Sequence, residues 1–80
     1  MISKIENIDE MIAKAIGSNI QSMRQAASLS RAQLAGMMGI TYQQLYKYER
    51  GQNNISAQNL VYLKFYLGLT DYNLFYKGLF

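Results

Sequence analysis

The sequence predicts an all-α domain of five helices joined by short links, and three observations carry that expectation. Apolar residues recur at spacings of three and four, the period of one helix face, and nowhere alternate as a half-buried strand would. Proline is absent, so helices run uninterrupted and turns fall to glycine and asparagine. Polar capping residues stand immediately before most of the apolar-periodic segments.

The elements follow in order. Residues 1 to 7 read as loosely held. Asn7 followed by Glu10 offers a capping-box spacing, and no breaker precedes Gly17, which predicts a first helix from about Ile8 to Ala27 with a weak point at Gly17-Ser18. Its apolar stripe is Ile12, Ile16, Ile20, Met23 and Ala27, and Asp9 and Glu10 suit the positive end of its dipole. Ser30 and Gln33 give the S-x-x-Q spacing that opens a second helix, Arg31 to Met38, with Leu34, Ala35 and Met38 inward. Gly36 inside it either admits another backbone or is simply tolerated. Of the adjacent Met37 and Met38, one is expected in the core and one exposed. Gly39 permits a sharp turn, and Thr41 caps a third helix, Tyr42 to Arg50, with Leu45 and Tyr48 inward and Gly51 as its stop. After the polar loop Gln52-Asn53-Asn54, Ser56 caps a fourth helix, Ala57 to Leu67, with the stripe Leu60, Leu63 and Leu67. Gly68 ends it, and Thr70 is expected to cap a fifth, whose Leu74 and Phe75 turn back onto the core.

Residues 30–50 are the centre of this plan. Two short helices, a tight glycine turn, and long polar side chains at the start of the second helix define a helix-turn-helix. The stretch Ile16 to Leu69 resembles the Xre, or phage repressor-like, family, which includes the lambda repressor and Cro. The run Ile40-Thr41-Tyr42-Gln43-Gln44, then Lys47-Tyr48-Glu49 and Gly51, is similar to small alphaproteobacterial transcriptional regulators whose recognition helix reads T-F-Q-Q-x-x-K-Y-E-x-G. The resemblance implies a compact lambda repressor-like domain spanning residues 1–80, with its core at 16–69. It also implies an ion pair between Arg24 and Glu49 that fixes the angle between the first and third helices.

Composition bounds the function. Eighty residues supply one helical core, not a core plus a deep catalytic cleft. Without histidine or cysteine the chain lacks the usual general acid–base and thiol chemistry and most zinc ligands, so neither an enzyme nor a metal site nor a cofactor is expected. No apolar stretch reaches the roughly 18 residues of a membrane span. Lys4, Glu6, Asp9 and Glu10 interrupt any apolar run at the N-terminus, so no signal peptide and a cytoplasmic location are expected. The net charge of +3 is modest. Its distribution says more, because Arg24, Arg31, Lys47 and Arg50 gather around the helix-turn-helix while Glu6, Asp9 and Glu10 sit at the N-terminus.

These residues point to double-stranded DNA as partner. Glutamine carries a donor and an acceptor that match adenine N6 and N7 in the major groove, and Gln43 and Gln44 stand where recognition helices contact bases. Lys47, one turn on, reaches guanine or a phosphate, and Tyr42 hydrogen-bonds a phosphate or packs on a thymine methyl. Expected backbone contacts are Ser30, Arg31 and Gln33 at the start of the second helix, Thr41 and Tyr46, and Arg50, Asn53 and Asn54 after the third. The family often carries glutamine at the position of Arg31, where it touches phosphate and braces the recognition helix. Arginine keeps the phosphate role and puts the bracing in doubt. Two further departures are Lys64, where the family has a small residue, and Asn54, where the similar branch often has a basic one. Lys64 either snorkels its ammonium to solvent or marks a rotated helix.

Tyr62, Phe65, Tyr66, Phe75, Tyr76 and Phe80 exceed what one small core accommodates. They either cover that core locally or form an interface. The expectation adopted is a homodimer built from the last two helices that acts as a repressor on a pseudo-palindromic operator. The alternatives are an antitoxin that holds a toxin on this aromatic surface, or a protein-interaction module of the same fold.

Overall fold

The structure, a computed structural model, describes the backbone of residues 2–80 and side chains from residue 8 onward. Among the described residues are four α-helices, α1 (Ile2–Ala26), α2 (Arg31–Met38), α3 (Tyr42–Glu49) and α4 (Ala57–Tyr66), followed by a 3₁₀ turn at Asn73–Tyr76. No strand occurs among the described residues, and no helix there is long and apolar enough to cross a membrane. α1 is the spine, packed against α3 and the 3₁₀ turn, while α2 packs against α3 and α4. Ile20, Leu34, Ala35, Met38, Leu45, Leu60, Leu63 and Phe75 form one buried cluster where these elements meet.

Local chemistry explains the middle of the chain. Ser30, Thr41 and Ser56 all hold extended backbone, and each side-chain oxygen accepts the backbone N–H three residues on. At α2 the box is reciprocal, since Gln33 Oε1 also accepts the Ser30 N–H at 2.8 Å. Two of the orphan amides at that helix start are thereby satisfied. Gly39, at φ +71°, ends α2 in the left-handed region, and the Ile40 N–H closes the turn on the Ala35 carbonyl at 3.0 Å. Met38 is buried and Met37 exposed.

The ends of the chain differ from expectation. The point about residues 1 to 7 falls on Met1, outside the described residues, and on residues 2–7, whose backbone is helical. α1 thus passes through Asn7, and the Asn7–Glu10 spacing starts no helix. α1 is also unbroken at Gly17. This glycine is a contact, because a Cβ there would overlap the Tyr48 carbonyl and lie 2.8 Å from that of Glu49. Gly51 makes the reciprocal approach, with φ +71° and only 2.7 Å between a would-be Cβ and Lys14 Cα. Two missing side chains let the C-terminal end of α3 press on the backbone of α1.

Thr70 caps nothing. Asp71 Oδ1 accepts the Asn73 N–H at 2.8 Å, and a single 3₁₀ turn follows in place of a fifth α-helix. Successive 3₁₀ residues point roughly 120° apart, so only one of an adjacent pair can enter the core. Phe75 enters and is fully buried, while Leu74 stays exposed. Phe75 is therefore core and no part of an interface, which corrects its expected role. Asn19, unremarked in the sequence, holds this segment down by donating from Nδ2 to the Phe75 and Lys77 carbonyls, both at 2.9 Å. Lys64 snorkels, its Nζ lying 5.5 Å from the centroid of the Tyr72 ring, and α4 keeps Leu60 and Leu63 inward.

Gly36 has nothing within 4 Å of a Cβ position, so it is tolerated and not required. The two helical glycines should respond oppositely to alanine. Gly36→Ala raises stability by up to about 1 kcal/mol, whereas Gly17→Ala lowers it by about 1–3 kcal/mol or more through overlap with carbonyls that cannot move aside. Urea midpoints of the two variants against the parent check the sign of each.

Candidate nucleic-acid interface

α3 is docked by one face and presents another. Leu45 and Glu49 are buried, Tyr48 is half-buried, and the Tyr48 hydroxyl accepts from Asn59 Nδ2 at 3.3 Å. On the other side Tyr42, Gln43, Tyr46, Lys47 and Arg50 are all exposed. Their spacing of i, i+1, i+4, i+5 and i+8 makes one continuous stripe along the helix. Gln44 lies on the shoulder, half-buried, with its backbone N–H on Thr41 Oγ1 at 3.0 Å. The stripe carries two cations and no acid, because the one carboxylate of α3 points inward.

That inward carboxylate sets the pose. Glu49 is 3% exposed and Arg24 7% exposed, and neither is tolerable alone at such burial. Arg24 grips Glu49 with two donors, Nε to Oε2 at 2.7 Å and Nη2 to Oε1 at 3.2 Å. Its Nη1 reaches the Leu29 carbonyl at 2.9 Å, just before α2. A second arginine completes the arrangement: Arg31 Nε donates to Glu49 Oε1 at 2.9 Å. No buried side-chain nitrogen or oxygen among the described residues lacks a partner. The Glu49 carboxylate raises the pKa of Arg31 above its ordinary value; partial burial opposes this and the Tyr42 hydroxyl adds to it.

Arg31 also organises the front of α3. Its Nη1 donates to the Tyr42 hydroxyl at 3.0 Å. Its guanidinium carbon lies 5.5 Å from the centroid of the Tyr42 ring and 5.1 Å from that of Tyr46, while Arg50 covers Tyr46 at 5.8 Å. Tyrosine and arginine therefore interleave along the base of the stripe. The doubt about bracing at position 31 is thus resolved against expectation, since the arginine braces through a carboxylate and a phenol. The α2 end contributes Ser30 and Gln33, whose oxygens are engaged in the capping box, and Thr41 is likewise engaged as a cap. Each hydroxyl keeps a proton to donate. Asn53 and Asn54 are exposed but border a cleft of about 330 Å³ against α1, with Asp9, Ile12 and Tyr48, and no residue of the stripe lines it.

With the geometry established, comparison with known proteins gives the class. Residues 20–61 match the helix-turn-helix family model, and the chain belongs to that family. The family is the Xre-like one, and relatives of this chain are found among alphaproteobacterial regulators. Over 73 residues, 91% of the chain, it is 41% identical to an uncharacterised helix-turn-helix-type transcriptional regulator of Rickettsia conorii, 58% of whose length is covered. A transcriptional regulator in the ATPase CF(0) region of Rhodospirillum rubrum is 42% identical over 45 residues, 56% of this chain and 42% of that protein. Among solved structures, the restriction-modification controller protein C.AhdI from Aeromonas hydrophila superposes with a TM-score of 0.72 at 27% identity, over 79% of this chain and 94% of that one. The chain spans a little over half the length of the two rickettsial relatives it matches.

Removing Glu49 tests the buried cluster. Glu49→Ala leaves Arg24 buried without its partner, and breaking a buried pair in this way costs about 3–5 kcal/mol. Arg31→Ala leaves the Arg24 fork intact, so its destabilisation is smaller. Thermal unfolding followed by circular dichroism ranks the two.

Proposed function

We propose that this chain is a sequence-specific, double-stranded-DNA-binding transcriptional regulator that works as a homodimer. The observation that carries the reading is the exposed stripe of α3, whose orientation is fixed by the doubly held Glu49. Gln43 and Lys47 stand on that stripe, with Gln44 at its shoulder, as groups able to read base edges in the major groove. Tyr42 and Tyr46 flank them, and Ser30, Gln33, Thr41, Arg50, Asn53 and Asn54 are candidates for contacts to the sugar–phosphate backbone. Such contacts set register and salt dependence, whereas the base-edge groups set sequence. The names of the relatives, as transcriptional regulators and as a restriction-modification controller, support the same role. Repression by occlusion needs nothing beyond such a domain, and action on DNA implies the cytoplasm.

The dimer is proposed on α4. Val61, Tyr62, Phe65 and Tyr66 are exposed on one side of that helix, and Phe65 is 77% exposed, far above what a lone boundary residue requires. Tyr62 and Tyr66 stack at 6.3 Å between centroids, which holds a flat aromatic face outward. Tyr76 is half-buried against the core, and the fully exposed Phe80 borders Ile8, Met11 and Ile12 of α1, so neither is assigned to this face. A two-fold pair would set its recognition helices about 34 Å apart, one turn of duplex, and read a pseudo-palindrome.

Two experiments test these statements. Selection from a random duplex library should return a two-fold-symmetric site, and Gln43→Ala should lose about 1–3 kcal/mol of base discrimination at its position; enrichment of nothing above random duplex refutes DNA reading. In sedimentation equilibrium, the parent should be a dimer and Phe65→Asp a folded monomer. A parent that is monomeric with and without duplex refutes the dimer.

A further inference from the structure

Arg31 was expected to contact phosphate, and its surroundings argue otherwise. Its side chain is only 19% exposed. Nε is committed to the Glu49 carboxylate and Nη1 to the Tyr42 hydroxyl, and the guanidinium carbon lies over both the Tyr42 and Tyr46 rings, 5.5 and 5.1 Å from their centroids. A cation already neutralised by a carboxylate, with two donors committed and two rings beside it, presents little to a second anion. Tyr42 is the opposite case. It is 48% exposed at the first position of α3. Its oxygen accepts from Arg31, so its own proton remains available to donate. A hydroxyl that accepts from a cation becomes a stronger donor, because linked hydrogen bonds polarise one another. A strong donor at the front of a recognition helix matches a phosphate oxygen.

Resting on the DNA-binding reading above, we propose that Arg31 is a positioning residue, and that the Tyr42 hydroxyl it aims makes the contact to the DNA phosphate. The arginine acts through the phenol and through Glu49, and adds no counterion-releasing contact of its own. Its planar fork is essential to this, since one donor must face the carboxylate while another faces the phenol. Lysine has the charge without the fork.

The test is a double-mutant cycle on affinity for the duplex that the parent protein selects, measured at several salt concentrations. Arg31→Gln and Tyr42→Phe should each weaken binding about tenfold, the scale of one hydrogen bond to a charged group. The double variant should bind no worse than the weaker single one. Arg31→Lys should fall with Arg31→Gln. The slope of log affinity against log salt should stay at the parent value in all four. A slope shallower by about one in Arg31→Gln marks a direct phosphate contact and overturns the proposal. So do parental affinity in Arg31→Lys, losses that multiply in the double variant, or no loss in Tyr42→Phe. A parent that selects no duplex refutes DNA binding itself, an outcome visible before any variant is made.

Discussion

A carboxylate sealed inside an eighty-residue protein is a severe constraint, and Glu49 imposes it on three helices at once. Its charge is acceptable only because Arg24 from α1 and Arg31 from α2 meet it with three donated hydrogen bonds. A buried ion pair seldom outperforms well-packed apolar groups as a source of stability. What it adds here is direction. Leu45 against Leu34 and Ile20 excludes water but allows a helix to slide or roll by small amounts. A guanidinium fork on a carboxylate does not, since both bonds are lost together when the planes tilt. The exposed stripe of α3 therefore has one orientation relative to the rest of the molecule.

The two ends of α3 are held by different means. At its C-terminal end, Gly17 and Gly51 bring backbone against backbone, so the Tyr48 and Glu49 carbonyls rest on α1 with no side chain between. That contact is rigid, since it involves no rotamer. At the N-terminal end, the Thr41 cap fixes the first turn, and Arg31 reaches across from α2 to Tyr42. This end is held by those two side chains and by the short turn that the Ile40 N–H closes on the Ala35 carbonyl. The base-edge candidates Gln43 and Gln44 stand at this end.

What the sequence made legible follows from the range of each interaction. The boundaries of α2, α3 and α4 rest on caps that act over three residues, and Ser30, Thr41 and Ser56 announce them directly. The start of α1 was misread because Asn7 and Glu10 form a local signal that an already established helix ignores; nothing between Ile2 and Glu6 breaks it. Gly17 looked like weakness because a glycine inside a helix costs propensity, and only the carbonyls of α3, more than thirty residues away, reveal it as a contact. The Arg24–Glu49 pair, 25 residues apart, came from family resemblance and not from any spacing rule. The part played by Arg31 escaped both routes, since its partners lie 11 and 18 residues on and a basic residue at a helix start reads most simply as a phosphate ligand.

Seven tyrosines against three phenylalanines now have a physical reading. Phe75 fills the centre, where a hydroxyl would have no partner. The tyrosines occupy boundaries, where an apolar ring meets protein and a polar tip meets something wet or charged. Tyr48 accepts from Asn59 beside the core, Tyr62 accepts from Gln58 on α4, and Tyr42 accepts from Arg31 at the front of α3. Each ring is oriented by its own hydroxyl and loses few rotamers when a surface closes on it. The same choice keeps the exposed face of α4 compatible with water. Phe65 is the exception, an exposed ring with no polar tip, and so the residue on that face with most to gain from being covered.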